Sequence, residues 1–304
     1  MPPEPLVSVL VPCFDKEAHL EETLESVYRQ TMDRWELVVV DDGSTDASPE
    51  ILHAAARAEP RLRVLRSANR GAGAARQWAL EASRAPYVQY LDADDLLLPG
   101  ALEARMAALE RERGDVAYSD WQRLELDGEG RGRFVPGAIE SRRLDDVDPD
   151  PQVAWFGGYW APPAALLFTR DISLRTGGWR RDLEVIQDAR HVLDAALAGA
   201  RFVHVPEVGA LYRVAASNSI SQGRRLALVR DAFRNADEVG HQWRERNQLT
   251  ARRREALIGC YEVLARSCHA ADPELFRGCL SRLEELSPGF RAASGLLGWR
   301  RLRP

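Results

Sequence analysis

The sequence predicts an α/β protein with a mostly parallel sheet flanked by helices, followed by a helical C-terminal appendage. Three observations carry this. Leu6–Val11 (LVSVLV) is an unbroken apolar run, the pattern of a strand covered on both faces. Short β-rich runs then alternate with helix-periodic stretches, as βαβ units do. After about Ser221 strand patterns stop and only helical periodicity remains.

Taken in order, Glu17–Gln30 places Leu20, Leu24, Val27 and Tyr28 on one helical face. Glu36–Val40 reads as a second buried strand. Asp46–Ala58 reads as a helix that Ser44 or Asp46 can cap. Arg61–Arg66 is a third strand, Gly73–Ser83 an Ala-rich helix and Tyr87–Leu91 a fourth strand. Pro99 suits the first turn of a helix running to about Arg113. Asp115–Ser119 adds a strand. Arg123–Val135, interrupted by Gly128-Glu129-Gly130-Arg131-Gly132, reads as a hairpin or flexible loop. Asp145–Pro151 reads as a loop, and the strands Ala164–Thr169 and Arg201–Val205 flank a helix over Gln187–Ala198. Helices over Arg224–Gln242, Arg252–His269 and Pro273–Leu286 complete the chain. The expected domains are residues 1–221 and 222–304.

A net charge of -5 disfavours general nucleic-acid binding, which needs clustered Lys and Arg; Arg300-Arg301-Leu302-Arg303 is a local exception. Cys13, Cys260, Cys268 and Cys279 form no C-x-x-C pair, so a zinc knuckle has no support. No secretory signal precedes the first apolar run, and no apolar run approaches the roughly 18 residues of a membrane span. The expected location is therefore cytoplasmic. The arginine-rich terminal helices leave open peripheral contact with the inner face of the cell membrane, and self-association is also open.

Three of the first four strands end in carboxylates: Asp15, then Asp41-Asp42, then Asp92-Ala93-Asp94-Asp95. In a parallel sheet these ends share the edge where α/β folds bind ligands. Crowded carboxylates need neutralising, and Mg²⁺ or Mn²⁺ takes one or two carboxylates plus phosphate oxygens. Each loop has an ordinary reading by itself. Asp42-Gly43-Ser44 makes a turn and cap, Asp15 an N-cap, and Asp92–Asp95 a solvated loop. Turn chemistry does not account for all three at successive strand ends. There is no G-x-x-x-x-G-K-[ST] loop, and Gly71-Ala72-Gly73 lacks the third glycine of a dinucleotide fingerprint.

Ser8–Asp15, Val39–Asp46 and Leu91–Asp95 together resemble the family 2 glycosyltransferases of the GT-A fold. Asn69-Arg70-Gly71, Ala75-Arg76, Thr176–Trp179, Gln187-Asp188, Gly199–Phe202 and Tyr212-Arg213 extend the resemblance over roughly residues 6–220. The resemblance implies an inverting sugar transfer from a nucleotide-diphosphate donor, with a UDP-sugar ranked ahead of GDP- and dTDP-sugars. The acceptor would be a hydroxyl of a polysaccharide, glycolipid or other glycoconjugate, as in cell-surface polysaccharide synthesis. Pro12, Asp15 and Asp42 would line the nucleotide pocket, with Asp42 bonding the base. Asn69 and Arg76 would sit near base, ribose or phosphates, Asp92 would face the donor, and Asp94 would ligate Mn²⁺ or Mg²⁺. Asp95 would shape the loop, Asp188 would be the general base, and Arg213 would meet the donor phosphates or close a loop over them.

The sequence departs from the family pattern at Gln187, where Glu is common, at Ala215, where His is frequent, and at Gln77, where Asn is usual. Trp155, Tyr159, Trp160 and Trp179 are candidates to stack on acceptor sugar, with core packing the alternative. Two further readings stand beside the transferase. A sugar-phosphate nucleotidyltransferase would need a Gly-rich loop directly after the first strand, which Pro12-Cys13-Phe14-Asp15 lacks. A non-catalytic nucleotide-sugar-fold binding module would be indicated by loss of Asp94 or Asp188, and both are present.

Overall fold

The computed structural model describes residues 4–126, 134–214 and 224–288. It divides into two compact units, Met1–Gly223 and Arg224–Pro304. The Gly128–Gly132 loop, Ala215, the 221/222 boundary and the basic Arg300–Arg303 stretch lie outside the described residues.

In the first unit, β1 (Val7–Cys13) lies between β2 (Trp35–Asp41) and β4 (Tyr87–Tyr90), and β3 (Leu62–Arg66) pairs with β2; all three pairings are parallel. Val and Leu dominate β1 and β2 because β-branched and apolar side chains suit a pleat covered on both faces. Val9, Leu10, Val11, Val38, Val39 and Val40 are accordingly fully buried. The helices α1 (Leu20–Tyr28), α2 (Ser48–Ala58) and α3 (Ala72–Ala82) make the crossovers. The order β3-β2-β1-β4 reverses direction between β1 and β4, so the carboxyl ends of these strands open a crevice.

Beyond β4 the sheet becomes mixed. A two-residue strand, β5 (Leu96–Leu97), precedes α4 (Ala101–Glu112). Pro99 is not in the first turn of α4 as expected. Ala101 N donates to Leu98 O at 3.1 Å and Gly100 has φ 82, so Pro99-Gly100 form the corner of a type II turn that leads into the helix. β6 (Val116–Leu126) and β7 (Phe134–Glu140) form the antiparallel hairpin.

The loop expected over Asp145–Pro151 contains a single 3₁₀ turn, and α5 (Pro151–Phe156) starts at its end. Asp150 caps α5 by accepting from Gln152 N at 3.0 Å. β8 (Leu166–Thr169) joins β4 to β6 with antiparallel pairing on both sides. α6 (Arg170–Arg175) and α7 (Gln187–Leu197) then lead to β9 (Phe202–Val214).

β9 is much longer than the Arg201–Val205 expected. Pro206 and Gly209 hide its continuation, because both residues read as strand breakers. Register shifts against β6 around Asp120 absorb the extra residues as bulges, after which pairing resumes through Val214. β5 pairs antiparallel with Leu211 and Ala210 of β9. This pairing sets Arg213 beside the Asp92–Asp95 loop.

The second unit contains α8 (Arg225–Glu245), α9 (Ala251–Cys268) and α10 (Pro273–Leu286). Thr250 and Asp272 accept from Arg253 N and Leu275 N and cap the last two helices. Its interior gathers Val239, Trp243, Leu257, Tyr261, Cys268, Cys279 and Leu283. Asp237 accepts from both Arg282 (2.7 and 2.9 Å) and Tyr261 (2.8 Å), tying the three helices together. Among the described residues no helix is long and apolar enough to cross a membrane.

Leu10 sits fully buried at the centre of the parallel block. Leu10→Ala is expected to destabilise the protein by about 2–5 kcal/mol, read as a lower urea midpoint by tryptophan fluorescence.

Candidate active site

The first two acidic loops lock one another. Asp15 adopts φ 48, a left-handed conformation that Asp tolerates better than most side chains. Its Oδ1 accepts from Thr45 N at 2.7 Å, and its own N–H donates to Ser44 Oγ at 3.1 Å. Buried Asp41 accepts from Ser44 N at 2.9 Å and pairs with Arg66 at 3.2 Å. Pro12 lies opposite Val40, one step inside this edge.

Asp42 is buried. Its carboxylate accepts from Ser67 Oγ (2.8 Å), Arg70 N (2.9 Å) and Gly71 N (2.7 Å). These bonds fix the loop that presents exposed Asn69. Gly43 is required there. It has φ +83, and a Cβ would sit 2.8 Å from Asn69 N.

The third acidic loop is surrounded by cations from three other elements. Lys16 Nζ pairs with Asp94 Oδ2 at 2.5 Å, and Arg76, from α3, pairs with Asp92 Oδ1. Arg213, from β9, donates from Nε to Asp94 O at 2.7 Å, from its backbone N to Asp95 Oδ1 at 2.9 Å and from its guanidinium to Glu22 at 2.7 Å. Its side chain is buried against these partners. Asp95 is buried and its pKa is well above the ordinary range, from burial first and then from Asp94 and Asp92. Its Oδ1 accepts from Arg213 N at 2.9 Å, which ties the loop to β9.

Asp188 lies in the first turn of α7, where the helix dipole favours negative charge. Its pKa is nonetheless raised. Burial is the largest cause, and the opposing effects of Arg76 and the Ala189 N–H are smaller. Behind it is a cavity of about 10 Å³, lined mainly by Tyr90, Phe168, Trp179 and His191. Burial pulls His191 down to about 3, so it is neutral and acts as a stacking ring on Trp179 at 4.4 Å. Arg76 lies over Trp179 at 4.7 Å and feels both Asp92 and Asp188, so one guanidinium acts on both carboxylates. Gln77, the departure from Asn, accepts from Trp179 N at 2.9 Å and holds that segment to α3.

The aromatic candidates divide. Trp155 and Tyr159 are buried against each other, and Tyr159 donates to Arg142 O at 2.9 Å, so the stacking role expected of them is replaced by core packing. Trp179 is likewise buried beneath Arg76. Trp160 is 38% exposed and directs Nε1 toward Asp188 Oδ2 at 3.4 Å, a long contact. It packs edge-on against Trp121 (5.4 Å) and Tyr212 (5.2 Å). The sequence reading assigned no role to Trp121, Tyr212 or Lys16. Tyr212 could have been suspected from its place before Arg213, but the other two carry no spacing signal.

The donor set fits a divalent cation of the Mg²⁺ or Mn²⁺ type. Asp94 has one oxygen on Lys16, is partly exposed, and supplies the single carboxylate such ions accept alongside phosphate oxygens. Among the described residues no three acidic, His or Cys side chains converge as an all-protein cage.

Residues 8–142 match the Glycosyl transferase family 2 profile. A Bacillus subtilis relative, TuaG, provisionally named as a teichuronic acid biosynthesis glycosyltransferase, is 33% identical over 145 residues, covering 47% of this chain and 57% of its own. Of the first curated relatives matched, this chain spans 29% to 57% of the length.

The fold is that of the GT-A glycosyltransferases. S. aureus TarS in complex with UDP-GlcNAc superposes with a TM-score of 0.59 at 19% identity, covering 95% of this chain and 74% of that one. The Pyrobaculum calidifontis mannosyltransferase PcManGT, in complex with GDP-Man and Mn²⁺, superposes at 0.58 and 19% identity, covering 99% and 84%.

Because Gly43 carries both a positive φ and a backbone close approach, Gly43→Ala is expected to cost about 1–3 kcal/mol. Differential scanning calorimetry of the variant measures it, and an unchanged melting temperature would contradict the packing of the Asn69 loop.

Proposed function

We propose that the protein is an inverting, metal-assisted glycosyltransferase that moves a sugar from a nucleotide-diphosphate donor to an acceptor hydroxyl, with Asp188 as general base. The observation that carries this reading is the linkage of the Asp92–Asp95 loop to Asp188 through Arg76. An acidic loop and a separate carboxylate of raised pKa that share one cation support this reading. The family match and the neighbours holding UDP-GlcNAc or GDP-Man support a nucleotide-sugar donor, with a UDP-sugar ranked first.

Asp188 takes the proton of the acceptor hydroxyl as its oxygen bonds to the sugar's anomeric carbon. The bond from that carbon to the diphosphate breaks, and its electron pair leaves with the phosphate. One displacement from the face opposite the leaving group inverts the anomeric centre. A divalent cation at Asp94, when bound, neutralises the charge developing on the diphosphate. Asn69 and Arg76 lie on the donor side, and Pro12 and Asp15 form the nucleotide edge. Trp160, with Trp121 and Tyr212 behind it, offers an aromatic wall beside Asp188 for the C–H face of an acceptor sugar. An acceptor in a cell-surface polysaccharide or its lipid-linked precursor suits this wall and the resemblance to TuaG.

Calorimetric titration of UDP, GDP and dTDP with and without Mn²⁺ tests the donor reading, and no metal-dependent binding of any of them would remove it. Asp188→Asn is expected to keep donor binding and to lower kcat by about 10²- to 10⁴-fold; unchanged turnover would exclude Asp188 as the base.

The pH profile gives a further test. Because the pKa of Asp188 is raised, its basic form is lost as pH falls through a value above the ordinary aspartate range. The acid limb of kcat/KM is expected there, and Arg76→Gln should move it still higher by removing a cause that lowers this pKa.

A further inference from the structure

Three cations surround the Asp92–Asp95 loop, but they are not equivalent. Arg76 and Arg213 are buried, at 7% and 8% exposure, and each is held by packing or by several bonds. The Lys16 side chain is 36% exposed, and its ammonium pairs with Asp94 Oδ2, the carboxylate expected to receive the metal. Asp92 and Asp95 also act on Lys16 electrostatically. Its backbone is fixed: Lys16 N donates to Ser48 Oγ at 2.9 Å, and Lys16 O accepts from His19 N and Leu20 N at the start of α1. A fixed backbone carrying a flexible four-carbon stem lets the ammonium swing while its origin stays in place.

A divalent ion on the other Asp94 oxygen would lie close to the ammonium, and the two positive charges would compete for one carboxylate. An ammonium 2.5 Å from one of its oxygens repels a divalent ion on the same carboxylate. A nucleotide diphosphate entering beside Asp94 offers the ammonium other anionic oxygens, and a mobile point charge is well suited to take them.

We propose that Lys16 is an exchangeable counter-cation for Asp94: it holds the carboxylate while the donor site is empty, and passes to the diphosphate when the donor arrives, releasing Asp94 to the divalent ion. This rests on the nucleotide-diphosphate reading above. Its consequence is order. Metal alone binds weakly, donor phosphate and metal help each other, and Lys16 is the positioning residue that couples them.

Two substitutions in the full chain test this with binding readouts. Free Mn²⁺ is followed by electron paramagnetic resonance without nucleotide, and UDP and GDP are titrated calorimetrically in chelator. Lys16→Gln is expected to tighten nucleotide-free Mn²⁺ binding by about fivefold, the scale of a partly exposed ion pair, and to weaken binding of the nucleotides in chelator. Asp94→Asn is expected to lose Mn²⁺ binding yet hold UDP or GDP more tightly in chelator, because Lys16 is then unencumbered. A role for Lys16 confined to folding would produce neither opposite-signed shift.

Unchanged Mn²⁺ affinity in Lys16→Gln overturns the exchange. If Lys16→Gln fails to fold, unchanged or weaker nucleotide binding by Asp94→Asn overturns it instead. Wild-type protein that binds no nucleotide diphosphate in any condition removes the donor reading itself. Nucleotide binding that ignores both substitutions removes only Lys16.

Discussion

Everything at the sheet's carboxyl edge depends on neutralising three aspartates within one four-residue loop. Two like charges about 4 Å apart repel by roughly 4 kcal/mol at the effective dielectric of a protein surface. Asp92, Asp94 and Asp95 could not be held together without compensation of that order. The fold supplies it from the β1–α1 segment, from α3 and from the end of β9, through Lys16, Arg76 and Arg213. Burial, with Asp94 and Asp92 beside it, raises the pKa of Asp95, which shows that crowding these carboxylates is costly even with such partners. The topology follows from this need. β5 has only two residues, yet its pairing to β9 is what brings Arg213 onto the loop.

Much of this was legible in the chain. The apolar runs of β1, β2 and β4 could be read because strands buried on both faces leave no polar alternation to confuse them. The acidic strand ends could be read because their spacing places them on one edge. What escaped was set by tertiary pairing. β9 was cut short because Pro206 and Gly209 carry local signals that only the β6 bulges override. β5 is too short to leave a pattern.

The site divided along the same line. Which carboxylates gather was readable, but what each one bonds was not. Nothing in the spacing of Asp42 tells that Ser67, Arg70 and Gly71 donate to its oxygens. Among the aromatic residues, Trp155, Tyr159 and Trp160 share one short segment and one composition. Burial alone separates the two core rings from the exposed one, and burial follows from how α5 packs rather than from the residues themselves.

Arg76 shows why the two halves of the site behave as one. A buried guanidinium is costly unless charge and hydrogen bonds repay its desolvation. Here Asp92 and Asp188 keep it charged against burial. Its charge in turn limits how far burial lifts Asp188. Were Arg76 committed to Asp92 alone, burial would lift the pKa of Asp188 further. Were it committed to Asp188 alone, Asp92 would be left unpaired in the acidic loop. The shared cation keeps Asp188 partly tuned and the donor loop neutralised together.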